Sequence, residues 1–257
     1  MSKLPKIVKQ FIKIPLSYKS ASTMQSLPEE LLNNNNKSIC KVEDPQSVEI
    51  ARNCLRSGRV IALPTDTVYG LACDANNEKA IQKLYNIKGR DFHKPVAICV
   101  KDLGDLRKYG EAEHLNDSLL GQLLPGPITI VIERSKHLSN PFLNPTTSKI
   151  GIRIPDFNFI QQLCSSFNEQ PLALTSANRS SERSSLNIKE FEVLWPLLGA
   201  IFDAGQVGIT EERRSASTVV DLATPGLFKI VREGVALKHT LEVLHAHGLK
   251  SLESTGV

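Results

Sequence analysis

The sequence predicts one α/β domain with a mainly mixed β-sheet. Short apolar runs with the length of buried strands alternate with segments of helical periodicity along most of the chain. Several late strands follow one another without room for a helix, which favours a mixed sheet over a purely parallel one. The composition changes only once, near residue 40, so the remainder is predicted to be a single domain.

The first elements surround a polar turn. Asp44 can cap a helix with Pro45 in its first turn, and Gly58 ends that helix. The apolar, β-branched run 60–63 predicts a buried strand, and Gly70 closes the turn after it. This turn places two threonines and an aspartate at a strand end, where ligands of α/β sheets bind. A capped strand–helix turn without a function has the same composition and is the alternative.

The later elements follow from the same two patterns. Apolar residues spaced three or four apart predict helices, and short β-branched runs predict strands. The predicted helices cover about 78–88, 102–109, 115–124, 156–167, 188–194 and 235–247. The predicted strands cover 96–100, 128–132, 150–154, 172–174, 200–202, 218–220 and 228–231.

Charge and cysteine usage exclude several classes of protein. The net charge of +4 comes from residues 1–40, which contain six lysines and two glutamates, while the remainder has 25 basic and 25 acidic residues. Duplex nucleic-acid binders normally carry an excess of Lys and Arg. The five cysteines form no C-x-x-C pair and the six histidines no H-x-x-x-H pair, so neither a disulfide framework nor a zinc site is predicted. No apolar run approaches the roughly 18 residues of a membrane span, so we expect a soluble protein with no membrane span.

Residues 1–40 differ in composition from the rest. They are basic, poor in acids and partly amphipathic, which is typical of an organelle transit peptide, yet they contain no arginine. A disordered tail is the equally weighted alternative. Asn33–Asn36 has the composition of a linker. The expected location is therefore cytoplasmic, mitochondrial or both.

Four segments place polar or cationic side chains at the ends of predicted elements. They are Thr65-Asp66-Thr67; Lys88, Arg90 and Lys94; Thr175-Ser176-Ala177-Asn178; and Ser217-Thr218 together with Arg232. Arg153 lies alone in an apolar strand, where it either reaches into a site or pairs with a buried acid. Such groups suit a polyanion together with a small polar molecule. The cluster at 88–94 has an alternative explanation without a binding function, namely a solvated, basic helix terminus that stabilises the helix dipole.

The usual nucleotide and hydrolase signatures do not occur. The sequence contains no G-x-x-x-x-G-K-[ST] loop and no G-x-G-x-x-G motif. No Ser–His–Asp or Cys–His pairing can be argued from the spacing. Any chemistry on ATP is therefore expected to rest on electrostatic stabilisation and not on a protein nucleophile.

An ordered set of motifs resembles the YrdC-like family of threonylcarbamoyl-adenylate synthases over about residues 45–237. The motifs are Pro64-Thr65-Asp66-Thr67-Val68-Tyr69-Gly70-Leu71, Lys88-Gly89-Arg90, Lys94-Pro95, Pro125-Gly126-Pro127-Ile128-Thr129, Gly151-Ile152-Arg153-Ile154-Pro155, Thr175-Ser176-Ala177-Asn178, Ser217-Thr218-Val219-Val220-Asp221 and Arg232-Glu233-Gly234. The resemblance implies a YrdC-like synthase domain at 41–240, built on a twisted sheet that is flanked by helices and contains a deep concave basic cavity. Residues 1–40 are then the leader, and 241–257 a C-terminal helix or tail.

The resemblance also implies a reaction. L-Threonine, bicarbonate or CO2, and ATP give threonylcarbamoyl-AMP and pyrophosphate, with Mg²⁺ accompanying the ATP. A separate tRNA threonylcarbamoyl transferase complex then uses the product to modify the adenine next to the anticodon. The resemblance implies a monomer and leaves room for a weak RNA contact.

The resemblance assigns roles position by position. The threonine-binding residues would be Thr67, Lys88, Arg153, Ser176 and Ser217. The ATP-binding residues would be Arg90, Lys94, Lys149, Asn178 and Arg232. Lys88 and Arg90 would be catalytic, and no residue is assigned to a metal. Three positions depart from the family pattern: Lys149 replaces a common threonine, Ser181 a common glycine and Glu233 a common proline.

Two other functions stay open at this stage. The first is a double-stranded RNA or tRNA-binding module without catalysis, against which the balanced charge of residues 41–257 and the 5% aromatic content argue. The second is carbamoyl transfer during metal-centre maturation, where a similar domain occurs within larger proteins that carry zinc motifs.

Overall fold

The computed structural model describes residues 39–89, 94–167, 170–208 and 214–252. Its strands are β1 (Ile39–Lys41), β2 (Ile61–Leu63), β3 (Gly70–Asp74), β4 (Ala97–Cys99), β5 (Ile128–Glu133), β6 (Lys149–Arg153), β7 (Leu172–Ser176), β8 (Ile201–Asp203), β9 (Thr218–Asp221), β10 (Leu227–Arg232) and β11 (Lys250–Ser251). Its α-helices are α1 (Ser47–Arg56), α2 (Glu78–Lys88), α3 (Leu103–Tyr109), α4 (Asp117–Leu123), α5 (Asn158–Ser166) and α6 (Leu237–Ala246). A 3-10 helix covers Ile188–Leu197.

The strands of the described residues form one mixed sheet. Their order is β1-β8-β2-β3-β7-β4-β6-β5-β9-β10-β11. Parallel pairs such as β4–β6 and β5–β9 lie next to antiparallel pairs such as β3–β7 and β5–β6. The predicted α/β class and the mixed sheet are therefore confirmed.

Helix α2 shows how local sequence delivers a side chain to the centre of the sheet. The Asn77 side chain accepts a hydrogen bond from the Ala80 amide and begins the helix. Leu84 and Tyr85 are buried on its inner face. Gly89 ends the helix with φ 55°, a left-handed conformation that glycine adopts without strain. Lys88, the last helical residue, is thereby placed against the end of β7.

Three strands were missed by the sequence analysis. β3 is buried between β2 and β7, yet its residues Gly, Leu, Ala, Cys and Asp carry no β-branched signal. β1 and β11 have only three and two residues and lie at the two edges of the sheet. Pairing with distant strands, and not local propensity, creates all three.

Two predicted helices differ in detail. The segment 188–194 is part of a 3-10 helix, in which Phe191 has a non-helical backbone and Pro196 removes a donor. α1 begins at Ser47 and not at Pro45, because the Asp44 carboxylate accepts the Gln46 amide in the preceding turn. Asp44 therefore caps a turn and not the helix.

Two of the predicted domain limits fall within elements of the described structure. Lys41, at the start of the predicted synthase domain, belongs to β1, which begins at Ile39. The limit between residues 240 and 241 falls inside α6, whose Thr240 and Leu244 are buried. Residues 1–38, the greater part of the predicted leader, lie outside the described residues. None of the helices in the described ranges has the length and apolar character that crossing a membrane requires.

Candidate active site

A cavity of about 560 Å³ lies on one face of the central strands. Alternate residues of β6, β5 and β9 line its floor, because side chains one strand residue apart point to opposite faces. The polar and charged lining residues are Thr65, Thr129, Thr147, Lys149, Arg153, Thr175, Ser176, Ser217, Asp221 and Arg232. Among these are three cations and one carboxylate.

Arg153 is the centre of one end of the cavity. Its Nη2 atom donates to the Thr67 hydroxyl at 2.8 Å, to the Thr65 hydroxyl at 3.4 Å and to the Asp66 carboxylate. The guanidinium is buried, and its Nε atom has no hydrogen-bond partner among the residues that the structure describes. The sequence left two interpretations open for Arg153, and the structure shows both: it lines the cavity and it pairs with a buried acid.

The turn after β2 holds this arginine. The Thr65 hydroxyl donates to the Val68 carbonyl at 2.8 Å and lies 3.1 Å from the Thr67 hydroxyl. Both threonines are buried, and Thr67 contacts Arg153 from behind the cavity wall. The polar turn predicted from sequence is thus part of the site.

Ser217 anchors a second group at the start of β9. Its hydroxyl lies 2.8 Å from that of Thr129 in β5. Arg232 Nη2 donates to the Ser217 carbonyl at 2.7 Å and to its hydroxyl at 3.0 Å. The predicted pair of Ser217 and Arg232 therefore meets in the cavity lining.

Lys149 and Asp221 form an ion pair on the cavity floor. The Lys149 ammonium lies 2.7 Å from the Asp221 carboxylate, and both side chains are partly exposed. Lys149 stands four residues before Arg153 in β6, which is about 13 Å of strand. The cavity therefore has two polar ends, separated by Gly151 and Val131.

Lys88 lies behind the wall and not in the lining. Its buried ammonium donates to the Ser176 carbonyl at 2.7 Å and hydroxyl at 3.3 Å, and to the Asn178 carbonyl at 2.6 Å and side-chain oxygen at 3.0 Å. Ser176 itself lines the cavity, whereas Asn178 and Thr67 are buried beside it. Of these four residues, only Ser176 is therefore exposed to the cavity.

Two of the predicted cations remain to be placed. Lys94 is exposed and precedes Pro95, which lines the cavity. Arg90 lies outside the described residues, and its role stays a prediction.

The sequence analysis gave no role to three polar lining residues, Thr129, Thr147 and Asp221. Thr129 interrupts the apolar strand Ile128–Glu133 and is the last residue of a quoted motif. Asp221 belongs to a quoted motif, and Thr147 lies in a loop without a pattern.

Burial keeps the Cys99 thiol and the Tyr69 hydroxyl, both near the cavity, protonated. Cys99 pairs with Arg153 in the register of β4 and β6, and burial raises its pKa to about 12. Tyr69 lines the cavity, and burial raises the pKa of its hydroxyl, which donates to the Gly205 carbonyl at 2.7 Å. Neither group is a nucleophile at neutral pH.

The fold and the cavity define an α/β domain with a cavity on one face of a mixed sheet, lined by two arginines, a lysine, an aspartate and several hydroxyls. Residues 53–234 match the Sua5/YciO/YrdC family, which carries the description "Telomere recombination". The chain therefore belongs to the Sua5/YciO/YrdC family, as the sequence motifs predicted.

Relatives with this domain carry the name of one enzyme. The chain is 50% identical over 197 residues to "Threonylcarbamoyl-AMP synthase" of Bos taurus, covering 76% of this chain and 70% of the relative. It is 34% identical to "Putative threonylcarbamoyl-AMP synthase" of Methanocaldococcus jannaschii, covering 75% and 88%. The predicted enzyme assignment agrees with these names.

A solved structure shares the fold. The crystal structure of P. abyssi Sua5 complexed with L-threonine is similar with a TM-score of 0.68 and 26% identity, covering 79% of this chain. The chain spans 58% of that archaeal protein's length.

Proposed function

We propose that this chain is a threonylcarbamoyl-AMP synthase, which joins L-threonine, bicarbonate or CO2, and ATP and releases pyrophosphate. The observation that carries the proposal is Arg153, a buried cation fixed by Asp66. The Nε donor of Arg153 lacks a hydrogen-bond partner in the described part of the chain. A buried donor is costly unless it is bonded, and guanidinium binds carboxylates through parallel hydrogen bonds. The carboxylate of an amino acid supplies that acceptor.

The surrounding hydroxyls suit the rest of a threonine. Ser176, Ser217 and Thr129 line the same cavity and can exchange hydrogen bonds with its amine and hydroxyl. The name of the P. abyssi complex with L-threonine supports this choice of ligand. Thr67 and Lys88 contribute by holding Arg153 and Ser176, and not by direct contact.

The other cations suit a triphosphate. Arg232 and Lys149 line the cavity together with Ser217, and the exposed Lys94 precedes Pro95, which also lines it. Cations next to phosphate oxygens supply charge-assisted hydrogen bonds. Arg90 is proposed to join them, and Asn178 is proposed to act on the nucleotide through the loop that it shares with Lys88.

The proposed reaction needs two anions to meet. The threonine amine attacks CO2 to give a carbamate, and the amine loses a proton. A carbamate oxygen then attacks the α-phosphorus of ATP, a new P–O bond forms, and pyrophosphate leaves. Cations fixed before the reaction stabilise the charge that gathers at the α-phosphate.

Magnesium is proposed to arrive with the nucleotide. Among the described residues, no group of three or more His, Cys, Asp or Glu side chains could hold a metal ion. Mg²⁺ is commonly held by substrate phosphates and few protein carboxylates. We assign no residue to it and no step to it.

The test is pyrophosphate release by the purified protein, with and without L-threonine and bicarbonate. Release that requires both substrates is the expected result. Release that is indifferent to threonine would contradict the proposal and indicate another adenylation or carbamoylation chemistry. Salt-sensitive RNA binding without turnover would favour the RNA-binding module instead.

The pyrophosphate assay does not test the predicted partner, oligomeric state, RNA contact or location. We propose that the product passes to a tRNA threonylcarbamoyl transferase complex. A monomeric state, a weak RNA contact and a cytoplasmic or mitochondrial location stay predictions. Size-exclusion chromatography with light scattering, RNA titration and microscopy of the tagged chain test them.

A further inference from the structure

Asn144 connects three segments, two of which contribute residues to the cavity lining. It is buried completely and lies in the loop between β5 and β6. Its Nδ2 atom donates to the Val96 carbonyl at 2.9 Å, and its Oδ1 atom accepts the Val96 amide at 2.8 Å. The same Oδ1 atom accepts the Tyr85 hydroxyl of α2 at 3.2 Å. One side chain therefore ties α2, the entry to β4 and its own loop together.

The two hydrogen bonds between the Asn144 side chain and the Val96 backbone reproduce the pairing of a neighbouring strand. Strands β4 and β6 are parallel, with Ala97 opposite Gly151, so both begin at the same end of the sheet. Val96 directly precedes β4, and Asn144 lies five residues before β6. The amide thus continues the hydrogen-bonded contact between the two strands beyond their first residues.

The two segments that this contact joins both contribute residues to the cavity lining. Pro95 and Val96 line the cavity and form what we call the β4 wall. Thr147 and Lys149, which lead into and begin the neighbouring strand β6, also line it and form what we call the β6 wall. Asn144 holds the first wall directly. It also belongs to the loop that leads into the second, since the Thr147 amide donates to the Asn144 carbonyl at 3.3 Å.

The backbone of this loop is fixed independently by Arg134. Its guanidinium donates to the carbonyls of Leu143 at 2.7 Å, Asn144 at 3.2 Å and Thr147 at 2.6 Å. Asn144 has φ 50°, in the left-handed region, which asparagine tolerates better than most residues. A fixed loop with a buried amide aimed at Val96 is a rigid spacer and not an adaptable contact.

We propose that Asn144 is a positioning residue that sets the distance between the β4 wall and the β6 wall. Lys94 immediately precedes the β4 wall and Lys149 belongs to the β6 wall, so this spacing sets how far apart the backbone positions that carry the two lysines lie. Under the proposed function, on which this consequence rests, the two lysines grip the nucleotide phosphates. Binding of ATP, more than binding of threonine at Arg153, depends on Asn144.

The test compares two variants of Asn144 with a matched control. Asn144→Gly removes the side chain and suits the positive φ, whereas Asn144→Ala adds backbone strain to the same loss. The control is Asn140→Ala, because Asn140 is also buried in this loop but bonds to the Ala75 carbonyl at 2.8 Å and the Phe142 amide at 3.0 Å. Thermal unfolding selects a temperature at which all variants are folded.

Two readouts are measured at that temperature. Hydrogen exchange measures the exchange rate of the Val96 amide proton. We expect this rate to be at least about tenfold higher in both Asn144 variants and to be unchanged in Asn140→Ala. Steady-state pyrophosphate release reports KM, which we expect to rise about tenfold for ATP and less than about twofold for threonine. Equal protection of Val96 in the wild type and in Asn144→Gly would overturn the proposal. Equal increases in both KM values would also overturn it, since they would indicate general loosening.

The proposed function and this inference fail in different ways. A wild-type protein without threonine-dependent turnover would contradict the proposed function. The exchange of Val96 would then decide the role of Asn144 alone, because that readout needs no substrate. Faster exchange confined to the Asn144 variants supports the positioning role in either case.

Discussion

Arg153, the last residue of β6, is bonded to Asp66 in the turn that follows β2, and only 6% and 9% of their side chains are exposed. The pair joins two segments that lie 87 residues apart in the sequence. It also fixes the cation that borders the cavity, so its removal has consequences for stability and for binding.

Removing the acid should destabilise the fold and disorganise the site. Asp66→Ala is expected to lower the free energy of unfolding by about 3 kcal/mol, because it leaves a buried charge without its partner. Urea unfolding measures this change. The control is Glu242→Ala, which removes an exposed pair with Lys238 and should cost less than about 1 kcal/mol. A stability of Asp66→Ala equal to that of the control would disprove the structural role of the pair.

Exchanging the guanidinium for an ammonium separates charge from geometry. Arg153→Lys keeps the charge but loses the planar fork that binds a carboxylate. We expect the KM for threonine to rise about tenfold or more while the KM for ATP stays within about twofold. Unchanged threonine dependence would remove Arg153 from the threonine site.

Gly234 is required by a close approach. A methyl group at this position would lie 2.4 Å from the Ser217 carbonyl carbon and the Thr218 nitrogen, both backbone atoms. Gly234→Ala should therefore displace the start of β9 and reduce kcat/KM by about 10²-fold. In contrast, Gly121→Ala in α4 meets no atom within 4 Å and should stabilise the protein by about 0.5–1 kcal/mol. Activity of Gly234→Ala at the wild-type level would contradict the packing.

Lys88 should act through the residues that it holds. Lys88→Met leaves the oxygens of Ser176 and Asn178 without their buried donor, so we expect activity to fall about 10²-fold and stability to fall by about 1–3 kcal/mol. Lys83→Met in the same helix loses one hydrogen bond, to the Gly58 carbonyl, and is the control. Full activity of Lys88→Met, measured by pyrophosphate release, would show that the ammonium has no positioning role.

Asp74 gives a pH dependence of stability. Burial raises the pKa of this carboxyl from its usual 3.8, so the folded protein binds the proton more tightly than the unfolded chain does. Its contribution to stability is therefore greatest below the unfolded pKa and falls as pH rises through the folded pKa. Asp74→Asn retains the oxygen that accepts the Asn76 amide and removes the titration. Urea unfolding from pH 4 to 7 should show the variant gaining stability over the wild type as pH rises; a constant difference would contradict this.

The sequence alone determined the family, the fold class and the segments that meet at the site. Periodicity placed most helices and central strands because their apolar faces must be buried, and the ordered motifs marked Arg153, Ser176, Ser217 and Arg232. It missed β3, whose residues have weak β propensity and which exists because β2 and β7 pair with it from both sides. Local pattern contains no information on such pairing.

Only the tertiary structure decided which predicted residues line the cavity and which support its wall. Lys88 and Thr67 have the chemistry of ligand-binding groups, yet both are turned to protein partners, Ser176 and Arg153. Asn144 carries no motif, and its importance comes from a contact with Val96, 48 residues away. The physical reason is the same in each case: a side chain's chemistry is set by its sequence, but its partners are set by the register and packing of strands far apart in the chain.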